Sequence, residues 1–333
     1  MATIYDVCEK AGVSMATVSR VINGNDIVKK STRQKVLKAM QSLNYTPNIN
    51  AQSLASKVTN SVGILVSEIS GPVYGPMMSA IEEELRASGK HVFITSGHSD
   101  EVREKESIDF LISRNCDALI MHVEAVSDEY LIELNKLSTP FVLMNRSIPC
   151  LADNCIILNN FNGGYLAAQH LLDLGHKNIA YISGPSWKSD AQDRLEGHKK
   201  ALKDSGIKYN KNLSYEGDYS RESGITGLDN LLKVKEPFTA VICANDEMAA
   251  GAMVKARDEK FDIPAELSIV GYDDINMASY LHPKLTTIRN PVNDIGRMAA
   301  KLVLKNVYNK DVDETQTMFE PELIIRDSAQ QLT

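Results

Sequence analysis

Polar side chains close several short apolar runs of this sequence, and their types fit one kind of chemistry. Asn145 ends PFVLMN, Asn245 ends AVICAN and Asp273 lies at the end of SIVGYDD; Arg194 opens the helix in DAQDRLEGHKKAL, and Tyr219 follows Gly217-Asp218. A carboxylate, two amides and a guanidinium facing one cleft can hold the vicinal hydroxyls of a sugar. An aromatic ring then covers the sugar's apolar face. Plainer readings stand beside this one. Asn245 and Asp246 also suit the cap of the helix beginning DEMAAGAM, and Asp273 or Asp274 suits a turn. Taken together, the set favours a ligand site.

A second set lies near the N-terminus, in AGVSMATVSRVING, and its chemistry is the reading of base edges. TIYDVCEKA places Ile4, Val7, Cys8 and Ala11 on one helical face, and Gly12 can end that helix. Ser14 then stands where the next helix needs an N-cap. In that helix Val18, Val21 and Ile22 face inward, which leaves Met15, Ala16, Ser19 and Arg20 on the other side. Arg20 can bond guanine O6 and N7 through its fork, while Met15 and Ala16 offer apolar contact to a thymine methyl. Ser14, Thr17 and Ser19 suit phosphate oxygens, and Asn23 can join them at the helix end. The alternative is a small three-helix bundle with a solvent-facing arginine.

The positioning elements follow from pattern. A third N-terminal helix is announced by Ser31 or Thr32 and continues through Val36, Leu37, Met40 and Leu43. Downstream, YTPNINAQSLASKVTNS offers Thr46 as a cap and Pro47 at a first helical position. The roughly two turns that follow need a partner to stay ordered. Leu54 there is either a wedge that unstacks a base step in the minor groove or a linker leucine resting on the neighbouring domain. From residue 62 the pattern changes. VGILV, HVFITS, ALIMH, PFVLMN and CIILN alternate with amphipathic segments, and NIAYIS, AVICAN and LSIVGYDD repeat the alternation. Two such series predict two doubly wound parallel sheets, with ligands beyond the carboxyl ends of their strands.

Enzymatic chemistry finds no support. There is no GxSxG elbow, no HExxH and no GxxxxGK[ST] loop, and VGILVSEISGPVYG supplies no GxGxxG turn for a nicotinamide cofactor. The seven histidines show no ligand spacing, His176 suits a structural place in a helix-to-strand turn, and Gly163-Gly164 suits a loop that starts a helix close to the sheet. No catalytic residue, cofactor or metal is expected. The five cysteines are scattered, as reduced thiols in a cytoplasm would be. No apolar run approaches a membrane span, and MATIYDVCEK is too polar for a secretory signal. The formal net charge of -7 is uneven: residues 1–57 carry eight Lys and Arg against three acidic residues. A basic front on an acidic body points the front end toward a polyanion.

TIYDVCEKAGVSMATVSRVING followed by NYTPNINAQSLA strongly resembles the headpiece and hinge of the lactose repressor/galactose repressor (LacI/GalR) family. GHKNIAYISGP, DRLEGHKKAL, FTAVICANDEMAAGAM, IPAELSIVGYDD and HPKLTTIRNP extend the likeness over essentially the whole chain. GHSDEVREKESIDFLISRNCDALIMHV and VLMNRSIP are similar to the galactose-repressor branch.

The resemblance implies an α/β chain: a helix-turn-helix headpiece over 1–46, a hinge helix or linker over 47–59, and an effector-binding and dimerisation core over 60–333. That core would be two-lobed and periplasmic-binding-protein-like, built on doubly wound parallel sheets. Its halves would exchange strands, one lobe taking about 60–160 and 291–322 and the other about 161–290 and 323–333. A homodimer on a palindromic double-stranded DNA operator is implied, repressing transcription until a small sugar, galactose in that branch, releases it. By position, Met15, Ala16 and Arg20 would read the major groove, Leu54 would be the wedge, and Asn48 matches a hinge position touching the DNA backbone. Arg194, Asn245 and Asp273 match sugar-binding positions, Asn145 and Tyr219 cleft positions, and Val73 and Tyr74 the apolar lip of the pocket. Met15 stands where a galactose repressor carries a smaller apolar residue, and Tyr219 where some members carry tryptophan. IIRDSAQQLT lacks a leucine heptad, so a dimer is expected. The alternatives are a regulator with another sugar or a purine-like corepressor, and a sugar-binding protein of transport.

Overall fold

Thr3 starts the first helix with a reciprocal cap: its hydroxyl accepts the Asp6 N–H, and the Asp6 carboxylate accepts the Thr3 N–H at 2.8 Å. The computed structural model describes residues 2–22, 27–46, 58–312 and 315–332. Its contacts separate Met1–Thr59 from Asn60–Thr333. The first unit holds α1 (Ile4–Ala11), α2 (Met15–Ile22) and α3 (Lys30–Ser42). Gly12 ends α1 with a left-handed φ of 65°, a conformation that costs glycine nothing. Ser14 opens α2, its Oγ accepting the Thr17 N–H at 3.3 Å. Val7, Val18, Val21, Val36 and Ala39 are buried against one another. α3 departs from expectation at its start. It begins at Lys30, and Lys29 holds the cap position without a side-chain bond, so Ser31 and Thr32 are helical residues and not caps. Packing of Val36 and Ala39 sets the helix, as tertiary contact usually does for so short an element.

The second unit contains two sheets. β1 (Ser61–Val66), β2 (His91–Ser96), β3 (Ala118–Met121), β4 (Phe141–Met144) and β5 (Cys155–Leu158) alternate with α4 (Tyr74–Ala87), α5 (Glu101–Ser113) and α6 (Asp128–Leu134). Then come α7 (Asn160–Asp173), β6 (Ile179–Ser183), α8 (Ser189–Asp204), β7 (Ser214–Glu216), α9 (Arg221–Lys233), β8 (Ala240–Cys243), α10 (Asp246–Asp258), β9 (Ser268–Asp273) and β10 (Thr286–Arg289). The chain crosses back through α11 (Val292–Tyr308), then adds β11 (Met318–Phe319) beside β5 and β12 (Glu322–Ile324) beside β10. Among the described residues the sheet orders are β11-β5-β4-β3-β1-β2 and β12-β10-β9-β8-β6-β7. Every pairing is parallel except β10 with β12. This is the α/β architecture expected, a helical N-terminal unit followed by two doubly wound sheets.

Valine, isoleucine and leucine fill the central strands, as sheets covered on both faces require. β1, β3, β4, β6, β8 and β9 are buried along almost their whole length. α11 packs on α4 and on β3, β4 and β5, which places it in the first lobe. The chain therefore passes between lobes three times, after β5, after β10 and after β11. Asn159 and Asn162 both donate to the Glu320 carboxylate, tying two of these crossings together at 2.9–3.1 Å.

Several local readings are corrected. Gly163 and Gly164 lie inside α7, not in a loop before it. A Cβ at Gly164 would stand 1.9 Å from the Arg194 carbonyl oxygen, so the glycine permits α7 and α8 to touch backbone to backbone. Arg194 sits in the second turn of α8, which starts at Ser189. β7, β10, β11 and β12 answer to no apolar run singled out in the sequence. No described helix is long and apolar enough to cross a membrane, and the five cysteines are free thiols.

Candidate functional site

Both sheets change direction of winding between their first strand and the strand beside it, β1 with β3 and β6 with β8. At such a switch point the loops diverge and leave a crevice past the carboxyl ends. The loops after β1, β3 and β4 meet those after β6, β7, β8, β9 and β10 around a cavity of about 630 Å³. All seven residues singled out for a ligand line it: Val73 and Tyr74 after β1, Asn145 after β4, Arg194 on α8, Tyr219 after β7, Asn245 after β8 and Asp273 at the end of β9.

Arg194 is the centre of the polar wall. It is buried, its Nε donates to Asn160 Oδ1 at 2.9 Å and its Nη1 to the Ala244 carbonyl at 2.6 Å. Its guanidinium lies 3.7 Å from the centroid of the Tyr272 ring. Nη2 stands 3.6 Å from the Asp190 carboxylate and 3.8 Å from that of Asp273. Those gaps exceed a direct hydrogen bond, and a ligand hydroxyl can bridge them by accepting from the cation and donating to a carboxylate. Burial pushes the Asp273 carboxyl up from its ordinary range, against the pull of Arg194. The Tyr219 hydroxyl donates to Asp190 at 2.9 Å, and burial together with that carboxylate raises its pKa far above the usual value.

Asn245 realises the plainer reading and the cleft reading at once. Its Oδ1 caps α10 by accepting the Met248 N–H at 2.9 Å, and its Nδ2 donates to the Tyr219 carbonyl at 2.9 Å. Asn145 Oδ1 is different: it is buried without a hydrogen-bond partner, as is Oδ1 of Asn290, whose Nδ2 donates to Asp273 at 3.2 Å. Buried acceptors of this kind call for a donor. The backbone is strained at the same places. Asn145, Tyr219 and Asp273 take φ of 55°, 70° and 104°, and for a bulky tyrosine that is a true outlier. Strain held by the surrounding fold gathers at ligand clamps.

The cavity also contains residues the sequence reading passed over. His122, Glu124, Lys188, Asp190 and Asn290 line it. The rule applied to PFVLMN, that the last residue of a strand run faces the crevice, would have found His122 at the end of ALIMH. No pattern marks Lys188 or Asn290, which arrive from the α8 cap and from a strand not recognised. Among the described residues no group of His, Cys, Asp and Glu could hold a metal.

The N-terminal unit presents the other candidate surface. Met15 is 50% exposed, Ala16, Arg20 and Ser14 are exposed, and Thr17 and Ser19 are half-buried. One face of α2 therefore offers an arginine, a methionine and small residues together, while Val18 and Val21 anchor the other. Asn23, Asn48 and Leu54 lie outside the described residues, as does most of the expected linker over 47–59.

The comparisons with known proteins match both parts of the chain. Residues 3–48 match the family described as bacterial regulatory proteins, lacI family, and residues 168–329 match the periplasmic binding protein-like domain. The chain is 40% identical over 328 residues to the HTH-type transcriptional regulator GalR of Escherichia coli strain K12, covering 98% of this chain and 96% of that protein. It is 34% identical to the ribose operon repressor of Haemophilus influenzae, covering 98% of each. Among solved structures, the Lac repressor dimer bound to operator and the anti-inducer ONPF superposes with a TM-score of 0.88 at 31% identity, covering 99% of both chains.

Proposed function

The chain belongs to the lacI family of bacterial regulatory proteins and is a DNA-binding transcriptional regulator; from that premise we propose that it is a repressor released by a small sugar, galactose. The observation that carries this reading is the polar wall of the 630 Å³ cavity. Arg194 flanked by Asp190 and Asp273, with the Asn145 and Asn290 side chains on the same lining, sets a cationic donor beside carboxylate acceptors. A ring with several hydroxyls, each both donor and acceptor, satisfies that array; an apolar ligand does not. Tyr74 and Tyr219 supply the faces on which its C–H surface packs. Galactose over other hexoses rests on the likeness to GalR.

In this reading Ser14, Met15, Ala16, Thr17, Ser19, Arg20 and Asn23 address the operator, and of a hinge over 47–59 Asn48 touches the DNA backbone while Leu54 wedges into the minor groove. Two copies pair through the cores, so that two headpieces meet a palindrome. Sugar closing on the cleft changes the angle between lobes, and DNA binding and sugar binding then exclude each other through one equilibrium. The coupling is on the order of 1–3 kcal/mol. Calorimetric titration of the full chain with galactose, glucose and ribose tests the ligand. Binding of galactose that Asp273→Ala abolishes is expected, and binding of ribose alone or of a purine would replace the galactose reading. Identical operator affinity with and without the bound sugar would sink the coupling. Light scattering at low micromolar protein is expected to show dimers.

A further inference from the structure

Glu124 and Lys188 meet across the cleft. Glu124 belongs to the first lobe, in the loop after β3, and Lys188 belongs to the second, at the cap of α8. Nζ lies 2.8 Å from Oε2, and each side chain is only 15% exposed. Both ends are held. The carboxylate of Glu104, buried on α5, accepts the backbone N–H groups of Glu124, Ala125 and Val126 at 2.9, 3.0 and 2.9 Å, which pins the loop. Ser67 and Ser99 donate to Glu124 Oε2 as well. On the other side the Lys188 ammonium stands 5.3 Å from the Trp187 ring and 5.6 Å from that of Tyr219.

The pair stands between two cavities. The 630 Å³ cavity and a smaller one of about 360 Å³ share His122, Glu124, Asn145, Lys188 and Asp190 as common wall. Beyond that wall the smaller cavity has what a second sugar ring would need: Trp187, 55% exposed, and the paired charges of Arg146 and Asp128. We propose that the Lys188–Glu124 bridge is a partition that limits the ligand to a single sugar ring, by closing the way from the Arg194 cavity to the Trp187 cavity. The bridge resists displacement because parting two poorly solvated charges leaves each without its partner. Size selection, on this account, is made by side chains of opposite lobes meeting, and it rests on the sugar reading given above.

The test uses the full chain, with galactose and the galactosyl disaccharides lactose and melibiose as probes. Wild-type protein binds galactose and gives no calorimetric signal with either disaccharide. Glu124→Ala with Lys188→Ala removes both charges together and raises the ratio of disaccharide to galactose affinity at least tenfold. Trp187, the sole tryptophan of the chain, changes its emission when the disaccharide reaches it in that variant and not when galactose binds. Glu124→Leu with Lys188→Met, of similar bulk, still excludes disaccharides and serves if the alanine pair unfolds. The partition is refuted if wild type takes lactose or melibiose as tightly as galactose, if the bulky pair admits them, or if the folded alanine pair binds galactose and still rejects both. A wild type that binds no hexose at all overturns the sugar reading instead.

Discussion

The headpiece and the core place their chemistry in opposite ways. In the headpiece one eight-residue helix carries Met15, Ala16, Thr17, Ser19 and Arg20 of the candidate reading face, and these neighbours in sequence share one element. In the core, loops from both sheets each contribute a residue or two to the cleft, and residues as distant as Val73 and Asn290 face one cavity. The cores differ accordingly. Five buried side chains hold three short helices, whereas the second unit fills both faces of two six-stranded sheets. A local site on a thin core is easily lost and easily read; a dispersed site on a thick core is the reverse.

The strongest way to break this contrast is to strike the close contact of α7 with α8. Gly164→Val drives side-chain atoms into the Arg194 backbone and is expected to cost roughly 3–5 kcal/mol. Chemical denaturation should show the core transition shifted and sugar binding gone. Next comes the headpiece. Val18→Ala, fully buried in the wild type, should cost about 2–3 kcal/mol and abolish operator binding, since so small a core has little to lose. Sugar calorimetry on that variant should match wild type; a parallel loss would mean that the two units do not fold independently. Arg20→Ala is sharper still, because the residue is exposed. Operator affinity should fall by about 1–3 kcal/mol and specificity relax at the base it reads, with the melting curve unchanged.

The smallest effect separates the units by pH. His198 is fully buried between Tyr181 and Tyr209, with ring centroids 4.8 and 6.1 Å away, and both its nitrogens lack partners. Burial first, and Lys199 second, push its pKa down from 6.5 to about 3. The folded core thus keeps this imidazole neutral where the unfolded chain protonates it. Stability is whole above pH 6.5 and declines as pH falls through the window toward 3, by at most about 1.4 kcal/mol per pH unit. Denaturation measured from pH 7 to 5 should show the slope in the core, and His198→Phe should reduce it, leaving the share of His170 and His176, whose pKa values burial also lowers.

How far the sequence could be read follows the same division. Gly12, Ser14 and the Val18–Val21 spacing announce a turn and a helix because capping and 3.6-residue periodicity are local. VGILV, ALIMH, AVICAN and SIVGYDD were legible as strands because a doubly covered sheet demands unbroken apolar runs. β7, β11 and β12 are too short to carry a pattern, and β10, as TTIR, mixes threonines with one isoleucine. Arg194 and Asp273 were legible as polar residues at expected places. That Asn245 is both cap and wall, or that Gly163 and Gly164 sit mid-helix, depends on a partner element far along the chain.

The sequence by itself determined the alternation of the long apolar strands with helices, the polar residues that close those strands and the charge of each unit, because these depend on residues a few positions apart. Only the tertiary structure decided which strand ends converge, that Asn145, Tyr219 and Asp273 take left-handed backbone, and that Lys188 of one lobe meets Glu124 of the other. Those outcomes arise where the chain passes between two sheets three times, and the energy of such meetings lies in contacts between segments whose distance in sequence carries no information about their distance in space.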